Sequence, residues 1–446
     1  MTSNNGKFIN EITSRFLRHL GSIERLQQQN VEQKPEPSKM DIGEFTSYVL
    51  HLKYKKVEAE KNNDIEKQKE LEKIFKELEE IPVYGMIDKN TVVKEEDDTF
   101  TLLIESAVLS KAYDNFMENT IDASYDQTQF QNSLIVSLVI GLELLIADIF
   151  KDFIHNLDVS NQVIKDKPLT YYDLKNIGSI EDAKTFLLDQ YIENLLRNSF
   201  EEWIKELDKK VNINLHSVRE LKEEIILVTE TLQRRHLIIH NDGKINDLYI
   251  NKIDPSLRNN LIKGETLELD DGYIQSRISV FRKFGLILIY LYGLKKYKNS
   301  LDDFFYDYHG LLVGILDKDC GGVRFIFDKF SELNLEYSSK LMSKINYFLS
   351  YKLNKDDSVD DEIDKFDTSA LSVEYRMAKN ILIGDDQAEK DALEFFKSID
   401  DDYFISVMDW PLIKLLNKTP AIKRYIKRRY SNIVKKEMSE EYETAQ

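Results

Sequence analysis

Apolar residues recur along most of the chain at steps of three and four, the period of a helix that buries one stripe. Over residues 129–156 the stripe runs through Leu134, Leu138, Leu142 and Leu145. Similar spacing predicts helices over residues 8–26, 40–78, 180–207, 216–240 and 275–297. Within the second of these, Leu71, Ile74, Phe75 and Leu78 form a single stripe on a highly charged segment, which reads as a solvated helix docked by one face. Shorter helical pieces are predicted at 375–383, 387–399, 403–416 and 421–436, arranged like helix pairs but without a period that defines a repeat.

Turn-rich stretches interrupt this pattern. QQQNVEQKPEPSKM (27–40) is polar, holds two prolines and reads as a linker, and NQVIKDKPLTYYDLKNIGS (161–179) reads as a connection. IPVYGMIDKNTVVKEEDDTF (81–100) fits a short hairpin or a loop, and DLYINKI (247–253) and ETLELDDGYI (265–274) are short extended candidates. DKDCGG, IGDD and the acidic run at 356–367 break the last third, the acidic run being its best internal boundary. The expected organisation is an N-terminal helical and linker region (1–100), a helical bundle of four or five long helices (101–298) and a C-terminal helical domain (299–446). With only 16 Gly and 7 Pro in 446 residues there are few of the turns that sandwiches and barrels require, so the predicted fold class is all-α.

Composition adds three constraints. Cys320 is the single cysteine, so no internal disulfide and no cysteine metal site is available, which fits a reducing cytoplasm. The opening MTSNNGKFINEITSRF turns amphipathic at once, so no secretory leader is expected there. The most apolar run, SLIVSLVIGLELLIADIF (133–150), carries Glu143 and Asp148 and reads as a buried core helix rather than a membrane span. A formal net charge of −18 argues against a protein that coats nucleic acid indiscriminately, while leaving room for a local cationic groove.

Chemistry concentrates in LQRRHLIIHNDGKIN (232–246). Leu221, Ile225, Val228 and Leu232 mark the buried stripe of its helix, and one more turn brings that stripe to Arg235, His236 and Ile239. His236 and His240 lie four apart on one face, and Asn241-Asp242-Gly243 tolerates the left-handed backbone that ends a helix. A guanidinium that never deprotonates beside an imidazole that exchanges protons near neutrality suits RNA phosphodiester cleavage without a metal or cofactor. The arginine balances charge on the non-bridging oxygens while imidazole moves the protons. One such set is thin for a reaction that needs both acid and base; two copies across a homodimer interface complete it. As a metal site, two histidines lacking a neighbouring acid or cysteine cluster are a weaker reading.

RHLIIH (235–240) resembles the R-x(4–6)-H signature of the HEPN superfamily (higher eukaryotes and prokaryotes nucleotide-binding), with a polar residue after the arginine and an HN-x-G continuation. The resemblance spans about 170 residues, 129–298, and leaves both flanks unplaced. It implies a helical domain that dimerises into a metal-independent endoribonuclease, of the kind found in toxin–antitoxin and abortive-infection systems of prokaryotes. Matched residue by residue, Arg235 stabilises the phosphate, His240 acts as general acid or base, and His236 fills the polar second position. Glu143 corresponds to an acid on an earlier helix. Arg234 offers an alternative frame, and Arg234 and Asn241 join the expected RNA contacts. RNA, tRNA among its forms, is the expected partner, together with a second copy of the chain and a separately encoded regulator or antitoxin; no membrane is expected.

KRYIKRRYSNIVKK (423–436) is the densest basic cluster. It reads first as the solvated face of a terminal helix. Its functional reading is an RNA-backbone contact through Lys423, Arg424, Lys427, Arg428 and Arg429, with Tyr425 and Tyr430 stacking on bases. Trp410 is expected to anchor a helix start, and His19, His51, His155, His216 and His309 to be ordinary side chains. No P-loop or dinucleotide-binding glycine motif is present.

Overall fold

In a computed structural model the chain is described over residues 5–29, 37–96, 99–156, 168–318, 320–416 and 420–444. Residues 30–36 of the expected linker at 27–40, and the side chains of His155, Cys320 and Lys436, lie outside the described residues. The fold is all-α, as the scarcity of turn residues predicted: the only strands among the described residues are β1 (Thr91–Glu96) and β2 (Thr99–Ile104), an antiparallel pair that begins in the segment read as a hairpin or loop (81–100) and runs four residues beyond it.

Contacts divide the chain into Leu26–Leu134 and a second unit made of Met1–Arg25 with Ile135–Gln446, so neither expected boundary, near 100 or 298, separates the two. The smaller unit holds α2 (Ile42–Lys61), α3 (Ile65–Leu78), α4 (Tyr84–Asn90), the hairpin and the first part of α5 (Ala107–Asn156). Asp41 and Asp64 cap α2 and α3 by accepting backbone N–H bonds, the orphan donors that every helix start exposes. Phe45, Val49, Leu52, Leu71, Leu78, Ile87 and Leu109 make its core. Leu71 and Leu78 thus belong to the predicted stripe of α3, though 40–78 is two helices broken at Asn62–Asp64 rather than one.

The larger unit is built on α11 (Asp271–Lys296), of which Ile274, Ile278, Phe281, Phe284, Ile287 and Leu288 are wholly buried. α1 (Asn5–Gln29) as far as Arg25, the part of α5 from Ile135, and α9 (Lys222–Asn241) belong to the same unit. The apolar run reads as predicted, with Leu134, Leu138, Leu142 and Leu145 buried. α1 approaches closely because glycines clear its path: a Cβ on Gly285 would strike the Phe16 ring, and one on Gly141 would strike His19, whose Nε2 lies 2.8 Å from the Ser137 carbonyl oxygen. Buried pairs tie the same helices together: Lys296 to Asp152 at 2.6 Å, and Arg282 to Glu24.

Several expected elements differ locally. The predicted helix at 180–207 is interrupted: α7 (Ile180–Leu196) ends at Arg197, and Ser199 caps a new helix, α8 (Phe200–Glu206); a short helix, α6 (Tyr171–Ile177), precedes them with a Thr170–Asp173 capping box. His216 lies in a 3₁₀ turn, so the helix expected from 216 begins only at Lys222. DLYINKI is not extended but forms α10 (Asp247–Lys252), because the Asn246 side chain accepts the Tyr249 N–H and so nucleates a helical turn. ETLELDDGYI is extended only at its start, where Thr266 bridges Lys244; Asp270 then caps α11.

Beyond α11 come α12 (Leu301–Ile315), α13 (Cys320–Glu332), α14 (Tyr337–Leu353), α15 (Asp360–Lys365), α16 (Val373–Ile383), α17 (Ala388–Ser398), α18 (Asp401–Met408), α19 (Pro411–Leu415) and α20 (Pro420–Thr444). The boundary expected at 299 is crossed by buried rings: Tyr297 stacks on Phe304 at 5.5 Å, and Tyr290 meets Phe330 at 5.1 Å. The helix expected over 403–416 is two, parted at Trp410, whose extended backbone precedes Pro411. Trp410 starts α19 as predicted, buried and donating its Nε1–H to Asn346 Oδ1 at 2.8 Å.

Candidate functional site

α9 carries two arginines in succession whose surroundings are opposite. Its inner face buries Val228, Thr231, Leu237 and, unusually, the carboxylate Glu230, which is 3% exposed. Four donors satisfy that carboxylate: Arg234 Nε at 2.9 Å and Tyr249 OH at 2.7 Å on Oε1, Tyr273 OH at 2.7 Å and Arg277 at 3.2 Å on Oε2. Burial works against its charge, but Arg234, Tyr273, Arg277 and Tyr249 outweigh it and hold the carboxyl below its ordinary value. Arg234 also donates to the Glu268 carbonyl at 3.0 Å and lies over the Tyr273 ring at 3.9 Å. It is therefore a clamp between α9 and α11, not the free RNA contact the sequence allowed.

Arg235 points about 100° further round the helix. There it lines a cleft of about 560 Å³ together with Glu143, His236, Arg197, Lys252 and Trp203. Its Nε is buried without a hydrogen-bond partner, and it makes no ion pair among the described residues. A buried donor left unpaired costs about 1–3 kcal/mol unless something in the cleft meets it. Glu143, from α5, faces the same space; burial pushes its carboxyl above the ordinary range and the Arg235 charge opposes that only in part. The early-helix acid matched from sequence therefore does share a cleft with the arginine.

His236 lines the cleft, and its ring lies 4.6 Å from that of His240 one turn on. Burial lowers the His236 pKa, and His240, Lys252 and Arg235 lower it further. Both histidines are exposed, as is Ile239 between them, so the expected buried stripe passes to Leu237 in this turn instead of Ile239. The helix ends where predicted: Asp242 and Gly243 take positive φ, 51° and 70°, and the Gly243 N–H returns to the Leu237 carbonyl at 3.1 Å. Asn241 spends its side-chain amide on the Lys244 carbonyl at 2.5 Å, holding this turn rather than facing a ligand.

Sequence reasoning missed Glu230, Arg197 and Lys252. Glu230 stands four residues before Arg234, a helical pair readable in principle. Lys252 reaches the cleft only because α10 is a helix: Tyr249 and Ile253 are buried with Leu237 and Ile245, which turns Lys252 outward beside His236. Arg197 sits at the break between α7 and α8, paired loosely with Glu193 at 3.7 Å.

The basic helix α20 divides in the same manner. Lys423, Arg424, Lys427 and Arg428 are exposed. Arg429 is not available for RNA: it bonds Asp401 at 2.9 Å and the Ile399 carbonyl at 2.7 Å, and lies over Phe404. Tyr425 and Tyr430 are likewise spent on packing, against Phe396 and Phe404, which removes them as base-stacking platforms. No family model matches this chain, and no curated protein and no solved structure matches it either.

Proposed function

We propose that the cleft cuts RNA without a metal, as an endoribonuclease related to the HEPN superfamily. The observation that carries this reading is the conjunction, in one cleft, of Arg235, buried at Nε and unpartnered there, with the imidazole of His236. In such a reaction the 2′-oxygen attacks phosphorus as imidazole takes its proton; the bond to the 5′-oxygen breaks and a second imidazole protonates the leaving oxygen. His236 fits the acceptor role and His240 the other proton transfer. Arg235, with Lys252 and Arg197 nearby, balances charge on the non-bridging oxygens. Glu143 faces the same cleft and feels the arginine's charge.

A homodimer would bring two such sets together, and exposed Ile239 beside the imidazoles is an apolar contact it would cover. In this reading the protein is a cytoplasmic antiphage effector that cleaves host or viral RNA, tRNA included, and is held in check by a separately encoded regulator. Total RNA incubated with the protein in EDTA tests the proposal. Fragments ending in cyclic phosphate support it; intact RNA, or cleavage only with magnesium, contradicts it. Were the protein instead a non-catalytic assembly module, Arg235→Ala and His240→Ala would behave like the parent.

A further inference from the structure

A second concavity, about 280 Å³, opens among α12, α14, α16 and α18 and is independent of the cleft. Trp410 forms one wall, and Gly310 and Gly314, one turn apart on α12, form another, with open space where their Cβ atoms would be. Two carboxylates, Glu374 and Asp409, line it, and no lysine or arginine does. The Tyr403 hydroxyl donates to Glu374 Oε1 at 2.8 Å, and neither carboxylate forms an ion pair among the described residues. Burial pushes the Glu374 carboxyl up, a sign that its charge lacks a partner. Next to it the Tyr375 hydroxyl is raised by burial, by Glu374 and by the hydroxyls of Tyr306 and Tyr337, so two tyrosines, Tyr403 and Tyr375, act on this carboxylate. Of these only Tyr403, 40% exposed, lines the groove itself.

We propose that this groove binds a small organic cation, an alkylammonium or alkylguanidinium group. A cation set against Trp410 and Tyr403 gains from the negative faces of the rings. It would also supply the charge that Glu374 lacks, and the unsubstituted faces of Gly310 and Gly314 leave room for its alkyl part. Neutral or anionic ligands gain from neither carboxylate.

Trp410 provides the readout, because Trp203 is the only other tryptophan and is buried in the other cleft. The intact protein is titrated with choline, with butylguanidinium, and with 3,3-dimethylbutan-1-ol as the neutral isostere of choline. The expected result is saturable fluorescence change at one site for at least one of the cations, with the neutral isostere about tenfold weaker. Glu374→Gln weakens that cation about tenfold, and Gly314→Val abolishes binding while the melting temperature of each variant stays near that of the parent. Should Glu374→Gln lower the melting temperature instead, Asp409→Asn takes its place in the same comparison. Equal binding of the neutral isostere, no binding of either cation, or undiminished binding to the Gly314→Val protein overturns the assignment.

Discussion

The cleft beside α9 and the groove beside Trp410 belong to one structural unit, yet their charges are opposite. The first sets Arg197, Arg235 and Lys252 against Glu143 and Glu193, an excess of cations in a chain of net charge −18; the second holds Glu374 and Asp409 with no lysine or arginine lining it. Net charge describes the long-range field, whereas binding is decided over a few ångström by which side chains share a concavity. A further lesson lies in how the cations arrive. The cleft draws one from each of three separate segments, while the basic run of α20 looks stronger in sequence and gives up Arg429 to Asp401 and to backbone carbonyls. Density along the chain is a poor guide to density in space.

The sharpest way to break the contrast between Arg234 and Arg235 is to remove what holds the former. Glu230→Ala leaves two buried guanidiniums and two tyrosine hydroxyls without their acceptor and is expected to cost about 3–5 kcal/mol in denaturant unfolding. An effect under about 1 kcal/mol would show that the network is not structural. Next in size is the pH response of the groove's wall. Since Asn346 Oδ1 accepts from Trp410, its Nδ2–H₂ faces His309 Nε2 at 2.9 Å, which must therefore accept and stay unprotonated. Burial pushes the His309 pKa down from 6.5 to about 4. The unfolded chain then binds the extra proton first, so stability is full above pH 6.5 and is lost as pH falls towards 4. The loss is about 3 kcal/mol. His309→Gln should flatten that part of the pH profile, and an unchanged profile would assign the loss to other groups.

Two smaller effects sharpen the comparison on the cationic side. Lys252→Ala is expected to slow RNA cleavage about tenfold, equivalent to about 1.4 kcal/mol, with little change in melting temperature, because the residue is exposed at the cleft's edge. Lys427→Ala, on exposed α20, is expected to weaken RNA binding by about 0.5 kcal/mol or less. A loss as large as that of Lys252→Ala would move the RNA path onto the terminal helix.

Periodicity and turn chemistry carried much of this fold into view. The buried stripe through Leu138 and Leu145, the helix end at Asn241-Asp242-Gly243 and the helix start at Trp410 each follow from residue types acting on their immediate neighbours. What escaped depends on distant partners. The unit boundary after Leu134 falls inside the unbroken helix α5, where no turn residue marks it, and α1 joins the far unit through clearances at Gly141 and Gly285. Asp247–Lys252 carries the β-branched and aromatic residues of a strand, and the Asn246 cap together with burial of Tyr249 and Ile253 makes it helical. Likewise Tyr425 and Tyr430 could be read as free rings only until Phe396 and Phe404 were found beneath them.

If Arg235 does the chemistry and Arg234 does not, Arg234→Ala and Arg235→Ala should part when compared for RNA cleavage in EDTA alongside their melting temperatures. Arg235→Ala is predicted to fold like the parent and to lose about a hundred- to a thousandfold in rate. Arg234→Ala is predicted to melt lower, by about 3 kcal/mol of lost stability, and to cleave at near the parental rate where it remains folded. Cleavage at the parental rate by the Arg235→Ala protein would contradict the account.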